Sequence, residues 1–322
     1  MNKLEVRKVA RRIPESLAGL RLDQALGRLF SEYSRSRLQH WIRNGRVKVD
    51  GKIWRPRDPV TGGEAISLEA VSDAEYGVAP QNIPLDICHV DAEILVLAKP
   101  SGLVVHPAPG NPDGTLVNAL LHHYPELAAL PRAGLVHRLD KDTSGLLVVA
   151  RSLRAHTSLV RQLQARTLSR EYIGIVNGCL TAGGTVDQPI GRHPVNRKRM
   201  GVVRTGKAAR THYRVNRRFR AHTLLNIKLE SGRTHQIRVH MAYLRFPLLG
   251  DPVYGGRPRL PRDPDPTLVE AISGFRRQAL HAARLGLRHP ATGQWRDWQA
   301  STPTDMAALL SALEEDASRD ER

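Results

Sequence analysis

From residue 83 onward, short apolar runs of β character alternate with stretches whose apolar residues recur at helical spacing. This alternation limits the possible folds more than any other feature. Runs at 94–98 (Ile-Leu-Val-Leu-Ala), 102–105, 145–150 and 172–176 read as strands. Helical patterns interrupt them at 115–124, 153–165 and 235–244. A late hairpin pairs 282–287 with 295–299 around His289-Pro290-Ala291-Thr292-Gly293. Strands outnumber helices and hairpins recur. The expected class is α+β, with a mixed, mainly antiparallel sheet flanked by helices.

A smaller unit precedes this one. Leu20, Leu22, Ala25, Leu26, Leu29 and Phe30 recur at helical spacing, and a second helix is expected over 36–44 with Leu38, Trp41 and Ile42 on one side. Asn44-Gly45 ends it, Gly suiting the left-handed position beyond a helix. A strand at 46–49 and the turn pair Asp50-Gly51 follow. Residues 71–81 mix Ser, Gly, Pro and acids without period and read as a linker. The expected domains are therefore 18–80, 82–302 and an acidic C-terminal tail at 303–322, with a short solvated helix at 305–315.

The formal charge is +18, and it is unevenly placed. Residues 191–245 hold 15 Lys and Arg against the single acid Glu230. Solubility alone would be served by mixed signs; a polyanion-binding face, with nucleic acid first, fits better. Membrane-surface binding fits poorly, because the segment lacks a clean amphipathic helix. The longest apolar stretches, such as 146–150, fall far short of the ~20 residues of a membrane span. No apolar signal-peptide core stands in the first 20 residues. Cys88 and Cys179 cannot by themselves build a disulfide framework or a four-ligand zinc site. The expected location is the cytoplasm.

The densest polar cluster runs from Gly134 to Gly145 between two apolar strands, the position of a sheet-edge loop. It offers Asp140 and Asp142 flanked by His137, Arg138 and Lys141. A carboxylate near cations favours its charged form and can serve as nucleophile or base; a solvated Asx-turn is the plain alternative.

The order of the residues carries further information. Arg21-Leu22-Asp23, Ser36-Arg37, Ile42-x-x-Gly45-x-Val47-x-Val49-Asp50-Gly51 and Gly63-Glu64-x-Ile66 resemble the S4 RNA-binding domains, compact α+β modules that cradle structured RNA. His137-Arg138-Leu139-Asp140-x-x-Thr143-Ser144-Gly145-Leu146 resembles the first signature of the pseudouridine synthases of the large-subunit-rRNA type. Arg170-Glu171-Tyr172, then Ser231-Gly232-Arg233-Thr234-His235-Gln236-Ile237-Arg238-Val239-His240, then Leu249–Gly256 and Gln278-Ala279-Leu280-His281-Ala282 follow in the family's order. The resemblance spans about residues 18–299. Asp58-Pro59, where such S4 domains often carry Lys-Pro, is a small departure that bears on RNA affinity only.

The resemblance implies isomerisation of uridine to pseudouridine in 23S ribosomal RNA or a pre-50S particle. That reaction breaks the N1–C1′ bond, turns the uracil and rejoins it through C5. It needs no cofactor and no metal, and the chain has no Gly-rich phosphate loop. In the family's pattern Asp140 acts at C1′ as nucleophile or as promoter of elimination, Tyr172 packs under the base and takes part in proton transfer, and Arg238 pairs with Asp140 through its guanidinium fork. A stacked uridine must first be extruded, and Arg138 fills the vacated place, with His137 supporting the same strand. His137, Arg138, Arg233, His235 and, in the S4-like unit, Arg37, Arg43 and Lys48 are candidate RNA contacts. His240 reads as RNA contact or scaffold, and Asp251 and Tyr254 as structural. No obligate protein partner is implied, and a monomer is expected. The alternatives are a non-catalytic RNA-binding assembly factor and a sister branch of the family with other target uridines.

Overall fold

The computed structural model describes residues 6–71 except 32 and 34, and 78–320 except 109 and 198. Most of the expected linker thus lies outside the described residues. The chain divides into two units, one from residues up to 79 with 125–133, the other from 80–124 and 134–322.

The first unit holds β1 (Val6–Arg12), α1 (Leu22–Leu29), α2 (Arg35–Arg43), β2 (Val47–Val49) and β3 (Ala65–Val71). The sheet order is β1-β3-β2, antiparallel throughout. Leu22, Ala25 and Leu26 of α1 meet Leu38, Trp41 and Ile42 of α2 over Ile66 and Leu68 of β3, all buried. The helical spacing of these residues produces that face. Asp50 and Gly51 both take positive φ, as a tight turn requires. The turn closes only the bridge Val49–Lys52, and the ladder partner of β2 returns fourteen residues on, with β3. β1 was not foreseen, because paired cations on either side of Val9-Ala10 hide a strand that packs Val9 against the core.

The second unit contains β4 (Asp86–Val90), β5 (Ile94–Lys99), α3 (Leu116–His123), β6 (Ser144–Ala150), α4 (Leu153–Gln164), β7 (Ser169–Asn177), β8 (Gly184–Asp187), β9 (Ile190–Arg192), β10 (Met200–Val202), β11 (Arg210–Arg218), β12 (His222–Leu229), α5 (Gln236–Tyr243), α6 (Pro266–Gly274), β13 (Leu280–Arg288), β14 (Trp295–Gln299) and α7 (Thr304–Asp320). Nine strands form one sheet in the order β4-β5-β6-β13-β7-β12-β11-β8, with β14 beside β13; β9 and β10 form a separate ribbon. Only β6 and β13 pair in parallel, so the sheet is mixed and mainly antiparallel. β6 is buried at every position, which marks a central strand covered on both faces. Thr115 and Asn118 cap α3 reciprocally, Ser152 caps α4, and Asp265 with Pro266 starts α6.

Two expectations differ from the structure. Residues 102–105 are not a strand; only Val104 bridges, to Thr115, while the Leu103 carbonyl is taken by the Lys99 ammonium. The C-terminal helix is not a short solvated one at 305–315. It is the full length of α7, and Met306, Leu309 and Leu313 are buried with Leu268 and Ile272 of α6. Its acids are engaged too: Asp316 meets Arg220, and Glu314 meets Arg217.

Candidate active site

Asp140 stands in the turn before β6. The Thr143 N–H donates to its carbonyl at 3.1 Å, and Gly102 N–H and the Lys99 Nζ donate to the next carbonyl, that of Lys141, at 3.0 and 2.9 Å. Gly145 closes the turn with φ 112°, and a Cβ there would lie 2.3 Å from the Ala282 carbonyl. Only glycine lets β13 approach so closely, which explains the Gly that follows Thr143-Ser144. The side chain of Asp140 is 16% exposed, so it is held from behind and open in front.

Arg238 is the cation that touches it. From the buried face of α5, its Nη1 donates to Asp140 Oδ2 at 3.1 Å. Its Nε and Nη2 donate to the two oxygens of Asp251 at 2.7 and 2.9 Å, a bidentate pair. Asp251 in turn accepts the N–H groups of Val253 and Tyr254. Burial alone would push the Arg238 pKa down, but the hydrogen bonds and charges of Asp251 and Asp140 push it up. Asp251, also buried, is nevertheless held below the usual carboxylate range by Arg238. The guanidinium is thereby fixed in orientation by one carboxylate while it presents its remaining edge to the other. Gly250, with φ 70°, makes the turn that delivers Asp251. Asp251 was read as scaffold; it is the group that aims Arg238.

His235 enters α5 in the left-handed region, φ 57°, an uncommon place for a side chain of this size. Its Nδ1 lies 3.0 Å from the Tyr254 hydroxyl and its Nε2 3.9 Å from Asp140 Oδ1. The hydroxyl accepts the Met200 N–H at 3.0 Å. Burial pushes the His235 pKa down, against the charge of Asp140. Tyr254 also lies under the Arg238 and Arg199 guanidiniums, at 5.2 and 5.0 Å. It too is more than remote scaffold.

Tyr172, on β7, is 6% exposed. Burial pushes its phenol pKa up, Arg170 opposes this, and the charge of Asp140 adds to it, so the hydroxyl keeps its proton at neutral pH and lies near enough to the carboxylate to feel its charge. Asp140, Tyr172, His235 and Arg238 are thus brought together. Arg138 is exposed and close enough to His235 to bear on its charge. His137 Nε2 accepts the Val148 N–H at 3.2 Å, and burial lowers the ring's pKa to about 3. It is a neutral strut under β6.

The remaining candidates scatter. Arg233 is exposed, with its Nε donating to the Ala208 carbonyl. His240 is buried between Thr211 and the Gln188 carbonyl, as scaffold. In the first unit Arg43 and Lys48 are exposed, and Arg37 lies over the Trp41 and Tyr33 rings at 4.9 and 5.4 Å. Within the basic segment, Arg210, Arg217 and Arg220 meet acids at Asp187, Glu314 and Asp316, so part of its charge is neutralised from outside it. Arg192, Arg197, Arg204, Lys207 and Arg214 are exposed.

Sequence reasoning missed Lys99. It is 1% exposed, and its Nζ donates to the carbonyls of Pro100, Leu103 and Lys141 at 2.6, 2.9 and 2.9 Å. Burial lowers its pKa to about 7, although Asp142 and Asp140 pull the other way. A Lys-Pro-x-Gly run ending an apolar strand was the available signal. Among the described residues, no three His, Cys, Asp or Glu side chains gather as a metal would need, and no helix is long and apolar enough to cross a membrane.

Residues 93–243 match the family described as RNA pseudouridylate synthase, and residues 20–66 the S4 domain. Over 307 residues the chain is 57% identical to the ribosomal large subunit pseudouridine synthase D of Pseudomonas aeruginosa, covering 95% of this chain and 96% of that one. It is 52% identical over 305 residues to the protein of that name from Escherichia coli K12, covering 94% of each. The solved structure of human RNA pseudouridylate synthase domain containing 4 is similar with a TM-score of 0.55 and 26% identity, over 71% of this chain and 93% of that one.

Proposed function

The chain belongs to the RNA pseudouridylate synthases, isomerases that act on RNA, and from that premise we propose that it converts specific uridines of large-subunit (23S) ribosomal RNA to pseudouridine, with Asp140 as the catalytic carboxylate. The observation that carries this reading is the Arg238 contact to Asp140 at 3.1 Å, with Arg238 itself clamped by Asp251. A binding protein has no need of a carboxylate held open among cations.

In this reading the S4 module and the basic segment hold the RNA backbone, and the target uridine leaves its stack. Arg138 takes the vacated place, where a planar cation can stack on a neighbouring base and bond to phosphate. Asp140 then acts at C1′, by attack or by promoting elimination, and the uracil turns. Arg238 stabilises the carboxylate as charge moves on it. Tyr172, a protonated phenol packed beside the site, supports the base and is placed to relay the C5 proton. The protein works in the cytoplasm, on free or assembling large-subunit RNA, with no obligate protein partner.

The test is to incubate purified protein with protein-free large-subunit rRNA and with assembling particles, then map pseudouridine. New pseudouridine at discrete positions is expected in at least one substrate. None in either sinks the reading.

A further inference from the structure

Behind the Asp140 turn lies a second support, which starts one residue before the Gln278–Ala282 signature. Arg277, just before β13, is 8% exposed. Its Nη1 donates to the Asp142 carbonyl, two residues past Asp140, at 3.3 Å. The two residues of the same stretch that follow continue the pattern onto the same turn: Gln278 Nε2 donates to Thr143 Oγ1 at 2.9 Å, and His281 Nδ1 lies 2.9 Å from Ser144 Oγ. The carbonyl of Arg277 faces the other half of the site. A Cβ on Gly250 would lie 2.3 Å from it, and Gly250 precedes Asp251, which aims Arg238. One residue therefore abuts both the turn that carries Asp140 and the turn that carries the clamp of its partner.

What holds Arg277 comes from the C-terminus. Asp305, in the first turn of α7, accepts its Nε at 2.6 Å and its Nη2 at 2.8 Å, a bidentate pair. The fork leaves Nη1 to face the Asp142 carbonyl, with the Gln278 carbonyl also at 3.3 Å, a division of labour like that by which Asp251 sets Arg238. α7 is anchored on α6 through Met306, Leu309 and Leu313. We propose that Asp305 and Arg277 are positioning residues, so that the C-terminal helix sets the geometry of the Asp140 turn relative to Arg238. The proposal rests on Asp140 being the catalytic carboxylate.

The experiment compares Asp305→Asn, Asp305→Glu and Leu313→Ala with wild type, in single-turnover pseudouridine formation at saturating RNA, in RNA affinity and in thermal melting. Asp305 is 46% exposed, so the asparagine variant keeps its place at the helix start. Because small misplacement of a reacting group is costly, Asp305→Asn should slow the chemical step about ten- to a hundredfold. RNA affinity should stay at the wild-type value, and Asp305→Glu should recover most of the rate. Leu313→Ala removes packing from the same helix and should lower the melting temperature more, while keeping the wild-type rate below its melt. A wild-type rate in Asp305→Asn overturns the proposal. So does a rate loss that tracks melting temperature alike in Asp305→Asn and Leu313→Ala, or an Asp305→Asn protein already unfolded at the assay temperature. Failure of the underlying reading looks different: no product from wild type, or product from Asp140→Asn.

Discussion

In the N-terminal module the candidate RNA-contacting cations, Arg43 and Lys48, stand at the surface, and the buried carboxylate of Asp23 is met by Arg21 at 2.9 and 3.1 Å and by Gln39. Around Asp140 the arrangement is reversed. Arg238 and Lys99 are buried and engaged with carboxylates or carbonyls, and the carboxylate is the group left open. Charge on a surface in water attracts polyanions over a distance set by salt. Charge that is buried and paired orients a neighbour. The two regions therefore respond differently to the same kind of substitution, and that difference can be measured.

The largest effect is expected at Arg238. Arg238→Met leaves Asp251, wholly buried, without its partner, at about 3–5 kcal/mol of stability. It also removes the donor at Asp140, at about 10²–10³-fold in rate. Arg238→Lys should recover stability better than rate, since an ammonium cannot serve Asp251 bidentately and reach Asp140 together. Denaturant melts and single-turnover rates separate the two effects; equal recovery of both would erase the distinction between orienting and merely pairing. Lys99→Met comes next. It strips the donor from the Pro100 and Leu103 carbonyls, while that of Lys141 keeps the Gly102 N–H; an unmet buried acceptor costs about 1–3 kcal/mol, so a loss of at least ~2 kcal/mol in denaturant unfolding is expected.

His137 gives a pH signature. Its folded pKa is about 3 against 6.5 for the ordinary ring, so the unfolded chain binds the proton first as pH falls. Stability should be full above about 6.5 and should decline at up to about 1.4 kcal/mol per unit as pH drops toward 3. His137→Gln should flatten this slope and leave RNA affinity unchanged. A loss of affinity would restore His137 to the RNA surface. The smallest effects belong to the N-terminal module: Arg43→Ala and Lys48→Ala should each weaken RNA binding a fewfold, lower the salt slope by about 0.7–0.9, and leave the rate at saturating RNA intact.

The same contrast decides how much was legible in the sequence. Local order fixes local structure, so α1, α2, α3 and α4, the run of β5 and β6, and the β13–β14 hairpin follow from spacing and turn residues. Asp140, Tyr172 and Arg238 were legible as a set through resemblance, because each sits in a compact signature. Asp251 and Tyr254 stood in view, but their roles depend on a contact made across the fold, and spacing does not state contacts. Lys99 and Arg277 were hidden for another reason: in sequence a buried cation looks like any surface cation, and only burial with an acceptor tells them apart. The strands β1 and β11 were obscured by the cations that populate them, and β8, β9 and β10 by their length of three or four residues. The net +14 of 191–245 overstated the free charge, since acids from β8 and α7 fold onto it. Helix α7 was misjudged by its acids, because the burial of Met306, Leu309 and Leu313 outweighs a polar opposite face.

The most direct test of the central claim is Asp140→Asn assayed for RNA affinity and pseudouridine formation in the same preparation. The substitution is nearly isosteric, and the exposed cations are untouched. Wild-type affinity with no detectable pseudouridine is the predicted result. Pseudouridine at the wild-type rate from Asp140→Asn would contradict the claim that this carboxylate, and not the positive charge around it, is what the fold is arranged to present.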